Sequence, residues 1–147
     1  MASSRNLVNN SDTLVDLLSA QCSELETLLA LAREETQAAQ DGKFLKVLDI
    51  VSERSRVGKR LETYHQQISE LRGTLQAEGH NVSGYDITNR VMELANMTLV
   101  QDQKTRPLLA ALKSEAVASL QNVETSTYRA NAYLKENRKG LAFDRSL

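Results

Sequence analysis

Two histidines and one cysteine are the side chains of this sequence best suited to catalysis or metal binding. Glu62 and His65 match Glu-x-x-His, the helical spacing that presents a carboxylate and an imidazole to a di-iron pair. Such a site needs the motif twice, and the only other histidine, His80, has no glutamate three residues before it. The segment after His65, "HQQISELRG", also lacks the lysine typical of phosphotransfer histidines. We therefore expect His65 to be a surface residue and predict no metal.

Nucleophilic catalysis has as little support in the sequence. Cys22 lies at helical spacing among Leu14, Leu18 and Leu25, which predicts a small buried thiol. It has neither a histidine nor a basic cluster nearby that would lower its pKa. No serine occupies a glycine-flanked elbow, and the glycines are too scattered for a phosphate-binding loop. We predict that the chain is not an enzyme and uses no cofactor.

Charge and hydropathy exclude two further classes of partner. The 18 basic and 19 acidic side chains give a net charge of −1, whereas nucleic-acid-binding proteins normally carry a basic excess. No stretch approaches the roughly 20 apolar residues of a membrane span. The first residues, "MASSRNLVNNSDTL", contain no apolar core of signal-peptide length. We predict a cytoplasmic protein that binds no nucleic acid and has no membrane span.

Apolar residues recur at helical spacing through most of the chain, and no segment shows the alternation of a strand. The first helix is predicted from Ser11 or Asp12 to about Gln40, and the second from Phe44 to Leu75. Between them, Asp41-Gly42 interrupts the pattern and predicts a corner; the alternative is one continuous helix that tolerates Gly42. The segment "EGHNVSG", with Gly79, Asn81 and Gly84, predicts the end of the second helix and a loop.

Asp86 is predicted to cap a third helix that buries Ile87, Val91, Leu94 and then Met97 or Thr98. The polar segment "QDQKTRP", residues 101–107, predicts a kink or break, with Pro107 opening the C-terminal helix. The fold class is therefore all-α: a long antiparallel helical hairpin with one or two further helices packed along it. We predict one domain over 1–147, with flexible tails at 1–11 and 139–147.

Two features of these helices are unusual. Arg54 falls on the buried seam of the second helix, where a guanidinium needs a place at the rim or a carboxylate partner. The C-terminal helix has small residues, Ala116, Thr127 and Ala130, where a bundle would use leucine. That weak seam suits a groove for a partner's helix. It is equally compatible with a helix that simply completes the bundle.

The segment "LLALAREETQAAQDGKFLKVLDIVSERSRVGKRLE", Leu28 to Glu62, resembles the flagellar export chaperones of the FlgN and FliT type. In those families a leucine-rich helix ends in alanines, turns at an acidic residue or glycine, and continues from an aromatic into a second helix. That helix carries leucines and a basic residue. The corresponding residues here are Ala38-Ala39, Asp41-Gly42, Phe44, Leu48, Arg54 and Leu61. The resemblance covers about a quarter of the chain, and its length and layout are closer to FlgN.

The resemblance implies a cytoplasmic chaperone that binds amphipathic C-terminal helices of secreted flagellar subunits, of the hook–filament junction type, and delivers them to the type III export gate. The client-binding groove would lie on the C-terminal helix. Its expected contacts are Leu109, Leu112, Ala116, Leu120, Val123 and Leu134. Tyr128 and Tyr133 are candidate contacts to the client or the export gate.

Two alternatives remain open at this point. The chain could be a structural or scaffold coiled-coil protein that forms a homodimer along the second helix, through residues such as Leu61 and Ile68. It could also be a four-helix signalling or metal-binding domain centred on His65.

Overall fold

The computed structural model describes residues 2–79 and 86–145, with side chains described for 10–79 and 86–136. Within those ranges the protein is all-α and contains no strand. Three helices follow in order: α1 (Ala2–Gln40), α2 (Phe44–Ala77) and α3 (Asp86–Arg145). The predicted fold class is confirmed. His80, Asn81 and Gly84 of the predicted loop lie outside the described residues.

The corner predicted at Asp41-Gly42 is confirmed. Gly42 has φ +69°, the left-handed conformation that favours glycine after a helix. Its amide donates to the carbonyl of Ala39 at 3.2 Å, and the amide of Lys43 donates to Ala38 at 2.9 Å. This pair of bonds is a Schellman motif, which satisfies the last carbonyls of α1. The chain then reverses into α2.

The second helix also ends as its sequence predicts. Gly79 follows the last turn with φ +84°, and its amide donates to the carbonyl of Gln76 at 3.0 Å. A second bond joins the amide of Glu78 to the carbonyl of Thr74 at 3.1 Å. Glycine therefore terminates both helices of the hairpin, each time by a positive φ that other residues adopt at a cost.

Two predicted boundaries are wrong. α1 begins at Ala2 rather than at Ser11 or Asp12, because no glycine or proline interrupts residues 1–40 and upstream residues continue the helix. The C-terminal helix does not open at Pro107: α3 runs through that residue without a break, while the kink expected over 101–107 stays a prediction. Proline inside a helix forfeits one hydrogen bond, here to the carbonyl of Gln103, and the helix-forming residues on both sides outweigh that loss.

The chain forms two compact units, Met1–Leu108 and Leu109–Leu147, with the boundary one residue beyond Pro107. The expectation of a single domain with flexible tails at 1–11 and 139–147 stays a prediction. The backbone of α1 is helical from Ala2 and that of α3 to Arg145, and side chains of 137–147 lie outside the described residues.

The first unit has its core between the antiparallel hairpin and the first half of α3. One buried cluster joins Leu14 and Leu18 of α1 to Ile68 and Leu75 of α2. A second joins Leu25 and Leu29 of α1 to Leu94 of α3. Partly buried residues pack against these two clusters: Leu17, Tyr64, Leu71 and Ile87 against the first, and Cys22, Leu28, Leu61 and Val91 against the second. Burial of apolar side chains at helical spacing thus stabilises the bundle.

Candidate functional site

The C-terminal stripe consists of the apolar and small residues of the second unit that recur every three or four positions on α3: Leu109, Leu112, Ala116, Leu120, Val123, Thr127, Ala130 and Leu134. At about 100° per residue these positions share one face of the helix. Leu112 is buried, and Leu109 and Ala116 are half-buried. Leu120, Val123 and Leu134 are 64, 61 and 53 % exposed. All residues from 117 to 136 are exposed, so no described side chain covers this part of the stripe.

Tyr128 and Tyr133 are both exposed but do not lie on the C-terminal stripe. Their helical positions place them on opposite sides of it, each about 100° or more from its centre. A single helix docked along the stripe would therefore meet neither ring squarely. The structure brings the six expected groove residues onto one face and leaves the two tyrosines outside it.

A polar cluster connects the three helices inside the first unit. Arg54 of α2 donates from Nη1 and Nη2 to Oδ1 and Oδ2 of Asp102, at 2.9 and 2.8 Å. Its Nη1 also donates to Oε2 of Glu35 on α1, at 3.1 Å. Of the two alternatives expected for a seam arginine, a place at the rim or a carboxylate partner, the structure shows the second, with two carboxylates. The hydrogen bond to Asp102 is the largest cause that raises the pKa of Arg54, and the two carboxylates outweigh the opposing effect of burial.

Neutral side chains extend this cluster along α1 and α3. The hydroxyls of Thr36 and Thr105 are hydrogen-bonded to each other across the helix interface. Gln101 donates from Nε2 to the Thr36 hydroxyl at 2.7 Å. Thr105 is 1 % exposed, so its hydroxyl must find partners inside the protein. The inner side of α3 is consequently polar from Thr98 to Thr105.

A groove of about 370 Å³ runs between α1 and α3 on the outside of this cluster. Its apolar residues are Leu29, Met97 and Val100, and its charged residues are Arg33, Glu93 and Lys104. Asn96 and Gln101 complete the lining. The groove is open and mixed in polarity, which suits a peptide or helix surface better than a small-molecule pocket.

The residues singled out for metal or nucleophilic chemistry are not assembled into a site. Glu62 and His65 are exposed on α2, and no group of three or more potential metal ligands occurs in the described parts of the chain. His80 lies outside the described residues. Cys22 is partly buried against Leu25 and Leu29, in agreement with a packing role, although it is not fully enclosed.

The seam of α2, proposed as a homodimer contact, is occupied within the monomer. Ile68 is buried against Leu14 and Leu18, and Leu61 packs partly buried against the second cluster. The regular spacing of that seam therefore reflects packing against α1 and α3. A dimer along it would have to open the bundle.

Sequence reasoning missed the polar cluster and the α1–α3 groove. The signal for the cluster was present in Thr98, Gln101, Asp102 and Thr105, which continue the spacing of Leu94 with polar side chains. The sequence left open whether Met97 or Thr98 is buried; the structure buries Thr98 and exposes Met97. With Thr98 turned inward, Met97 and Val100 lie on the outer surface of α3.

Comparison with protein-family models, curated proteins and solved structures finds no match to this chain. The resemblance to flagellar export chaperones therefore rests on residues 28–62 alone. In the described ranges, no helix is long and apolar enough to cross a membrane.

Proposed function

We propose that this protein binds an amphipathic helix of a protein partner along the C-terminal stripe. The observation that carries the proposal is the exposure of Leu120, Val123 and Leu134 on one face of α3, where every residue from 117 to 136 is exposed. Apolar residues at helical spacing that no described side chain covers are typical of a surface that receives another helix.

The energetics of such a contact suit reversible binding. Full burial of one leucine or valine side chain contributes roughly 1.5–3 kcal/mol. Three such anchors could offset much of the entropy lost on association, so that the partner's helix is bound but can still dissociate. Thr127 and Ala130 lie between the anchors, and Ala116 lies one turn before Leu120; these small residues let the partner's helix approach closely.

The specific form that we propose is a cytoplasmic export chaperone for secreted flagellar subunits of the hook–filament junction type, acting at the type III export gate. Support for it comes from the resemblance of Leu28–Glu62 and from the reversal at Asp41-Gly42, the feature on which that resemblance centres. The exposed Tyr128 and Tyr133 are candidate contacts to the gate rather than to a helix on the stripe.

Binding can be measured by titration calorimetry with the full chain and a synthetic C-terminal helix of a hook–filament junction subunit from the same genome. The variant Leu120→Asp/Val123→Asp places two charges on the C-terminal stripe and should weaken binding at least tenfold, which corresponds to about 1.4 kcal/mol. The matched control Ala118→Asp/Thr125→Asp adds the same charge on the opposite face and should bind within about twofold of the wild type.

Two results would count against this function. Equal losses in both variants would show a general charge effect rather than use of the stripe. Absence of binding to every junction-subunit helix, in a chain whose circular dichroism is fully helical, would remove the flagellar form of the proposal.

A further inference from the structure

Residues 97–105 of α3 have inverted polarity. Thr98, Gln101 and Thr105 face the hairpin, while Met97, Leu99 and Val100 are 37, 55 and 50 % exposed. Apolar side chains on the outside of a helix whose inner side is polar gain nothing from the monomer's core. Their placement indicates an outer contact that the monomer does not supply.

Four residues on this outer side form what we call the α3 stripe: Glu93, Met97, Val100 and Lys104. They occur at i, i+4, i+7 and i+11, so they follow one line along the helix. The order is acidic, apolar, apolar, basic. All four line the α1–α3 groove and belong to the first compact unit.

The order of the α3 stripe is self-complementary when it is read in the opposite direction. We infer that two copies of this chain associate through antiparallel α3 stripes about a two-fold axis. Glu93 of one copy then faces Lys104 of the other, and Met97 faces Val100, with each contact made twice as isologous symmetry requires. A parallel arrangement would instead place Glu93 against Glu93 and Lys104 against Lys104, so charge selects the antiparallel one.

Both charged residues are available for this contact. Lys104 is exposed and forms no ion pair with any described residue. Among the residues that the structure describes, Glu93 pairs only with Arg90, at 3.2 Å and one turn away, with both side chains about half exposed. Exposed pairs of this kind contribute little, so exchanging Arg90 for the partner's lysine costs little. Met92 and Leu99 are also exposed but lie on the other flank of α3, more than 100° from the stripe, and take no part in this contact.

Arg33 limits the strength of the dimer. It lines the same groove from α1 and forms no ion pair among the described side chains, so the proposed contact leaves two copies of Arg33 without a carboxylate partner. That unpaired positive charge weakens the association and makes it concentration-dependent. Replacing Arg33 by glutamine should tighten it.

Charge reversal tests the orientation and the contact together. In sedimentation velocity on the full chain, Glu93→Lys and Lys104→Glu should each weaken dimerisation by about tenfold or more, because each turns two attractive pairs into two repulsive ones. The double variant Glu93→Lys/Lys104→Glu restores both pairs with exchanged signs and should recover the wild-type association.

Several outcomes would overturn the inference. A wild-type chain that remains monomeric at every concentration would leave the α3 stripe to a different protein. Failure of the double variant to recover, with circular dichroism and melting temperature unchanged, would exclude the antiparallel pairing. Loss of the dimer in Leu120→Asp/Val123→Asp would assign self-association to the C-terminal stripe instead.

Discussion

Arg54 and Asp102 form a two-pronged ion pair between α2 and α3, with Nη1–Oδ1 and Nη2–Oδ2 separations of 2.9 and 2.8 Å. The same guanidinium reaches Glu35 on α1, so one side chain bonds to both neighbouring helices. Fork-to-fork geometry of this kind is stronger and more directional than a single contact. It fixes α3 against the hairpin where the interface is polar.

Replacing Arg54 by alanine should lower the free energy of unfolding by about 2–4 kcal/mol, because Glu35 would remain buried without a cation. Urea denaturation followed by circular dichroism measures the loss. Arg56→Ala is the matched control: Arg56 is an exposed arginine two residues away that pairs with Glu53, and its removal should cost less than about 1 kcal/mol. Equal effects of the two substitutions would show that the polar cluster adds no stability.

The contribution of Arg54 should not depend on pH in the ordinary range. Its pKa is raised in the folded protein, chiefly by the hydrogen bond to Asp102. A raised pKa gives stability that is fully present below the unfolded pKa and is lost only as the pH rises through the folded value. The difference in unfolding free energy between wild type and Arg54→Ala should therefore be equal at about pH 7 and about pH 10. A marked fall by the higher pH would contradict this assignment.

The hydrogen bond between Thr36 and Thr105 should appear as a coupling energy. In a double-mutant cycle, Thr36→Val and Thr105→Val should interact by about 0.5–1 kcal/mol, since each removes the partner of the other. Thr125→Val provides the control, because Thr125 is exposed and its hydroxyl makes the same bond to the carbonyl four residues earlier, at 2.9 Å, as Thr105 does. Strict additivity would mean that the two hydroxyls are satisfied independently.

Two glycine substitutions should have opposite signs. Gly42→Ala places a side chain at φ +69° and should destabilise the protein by about 1–2 kcal/mol. Gly58→Ala falls inside α2, where an added Cβ meets nothing within 4 Å, and should stabilise by up to about 1 kcal/mol. Thermal unfolding of both variants measures the pair. A neutral Gly42→Ala would mean that the corner relaxes to another turn.

Hydrogen exchange should distinguish the two compact units. Residues 108–138 of the isolated protein should exchange faster than residues 45–75, because amides of an exposed helix are protected only by local bonds that open readily. Adding a client helix should slow exchange around Leu120 to Leu134 if the C-terminal stripe binds it. Equal protection of both segments without a client would contradict the expected mobility.

The local features of the fold could be read from the sequence, and the long-range ones could not. The corner at Gly42 and the end of α2 at Gly79 could be predicted because glycine adopts a positive φ more easily than any other residue. Pro107 misled the prediction because a proline signal states a local cost, while the flanking residues decide whether the helix continues.

The candidate sites show the same division. The spacing of the C-terminal stripe placed its residues on one face, but only the structure shows that Leu112 is buried while Leu120 is exposed. The position of Arg54 on a seam predicted either a place at the rim or a carboxylate partner. The identity of the partners could not be read, since Asp102 is 48 residues away in sequence. The α3 stripe was hidden because spacing alone did not say whether Met97 or Thr98 turns inward.

The polar cluster also fixes the axial register of α3 relative to the hairpin. A slip of α3 by one turn relative to the hairpin would bring Arg106 opposite Arg54 in one direction and Thr98 in the other. Like charges would meet in the first case, and in both cases Arg54 would lose Asp102 as its second carboxylate. Contacts between leucines tolerate small axial shifts of a helix, whereas the hydrogen-bonded pairs of the polar cluster form in only one alignment of α3. The axial position of every outward residue on the first half of α3 is thereby set from inside the bundle.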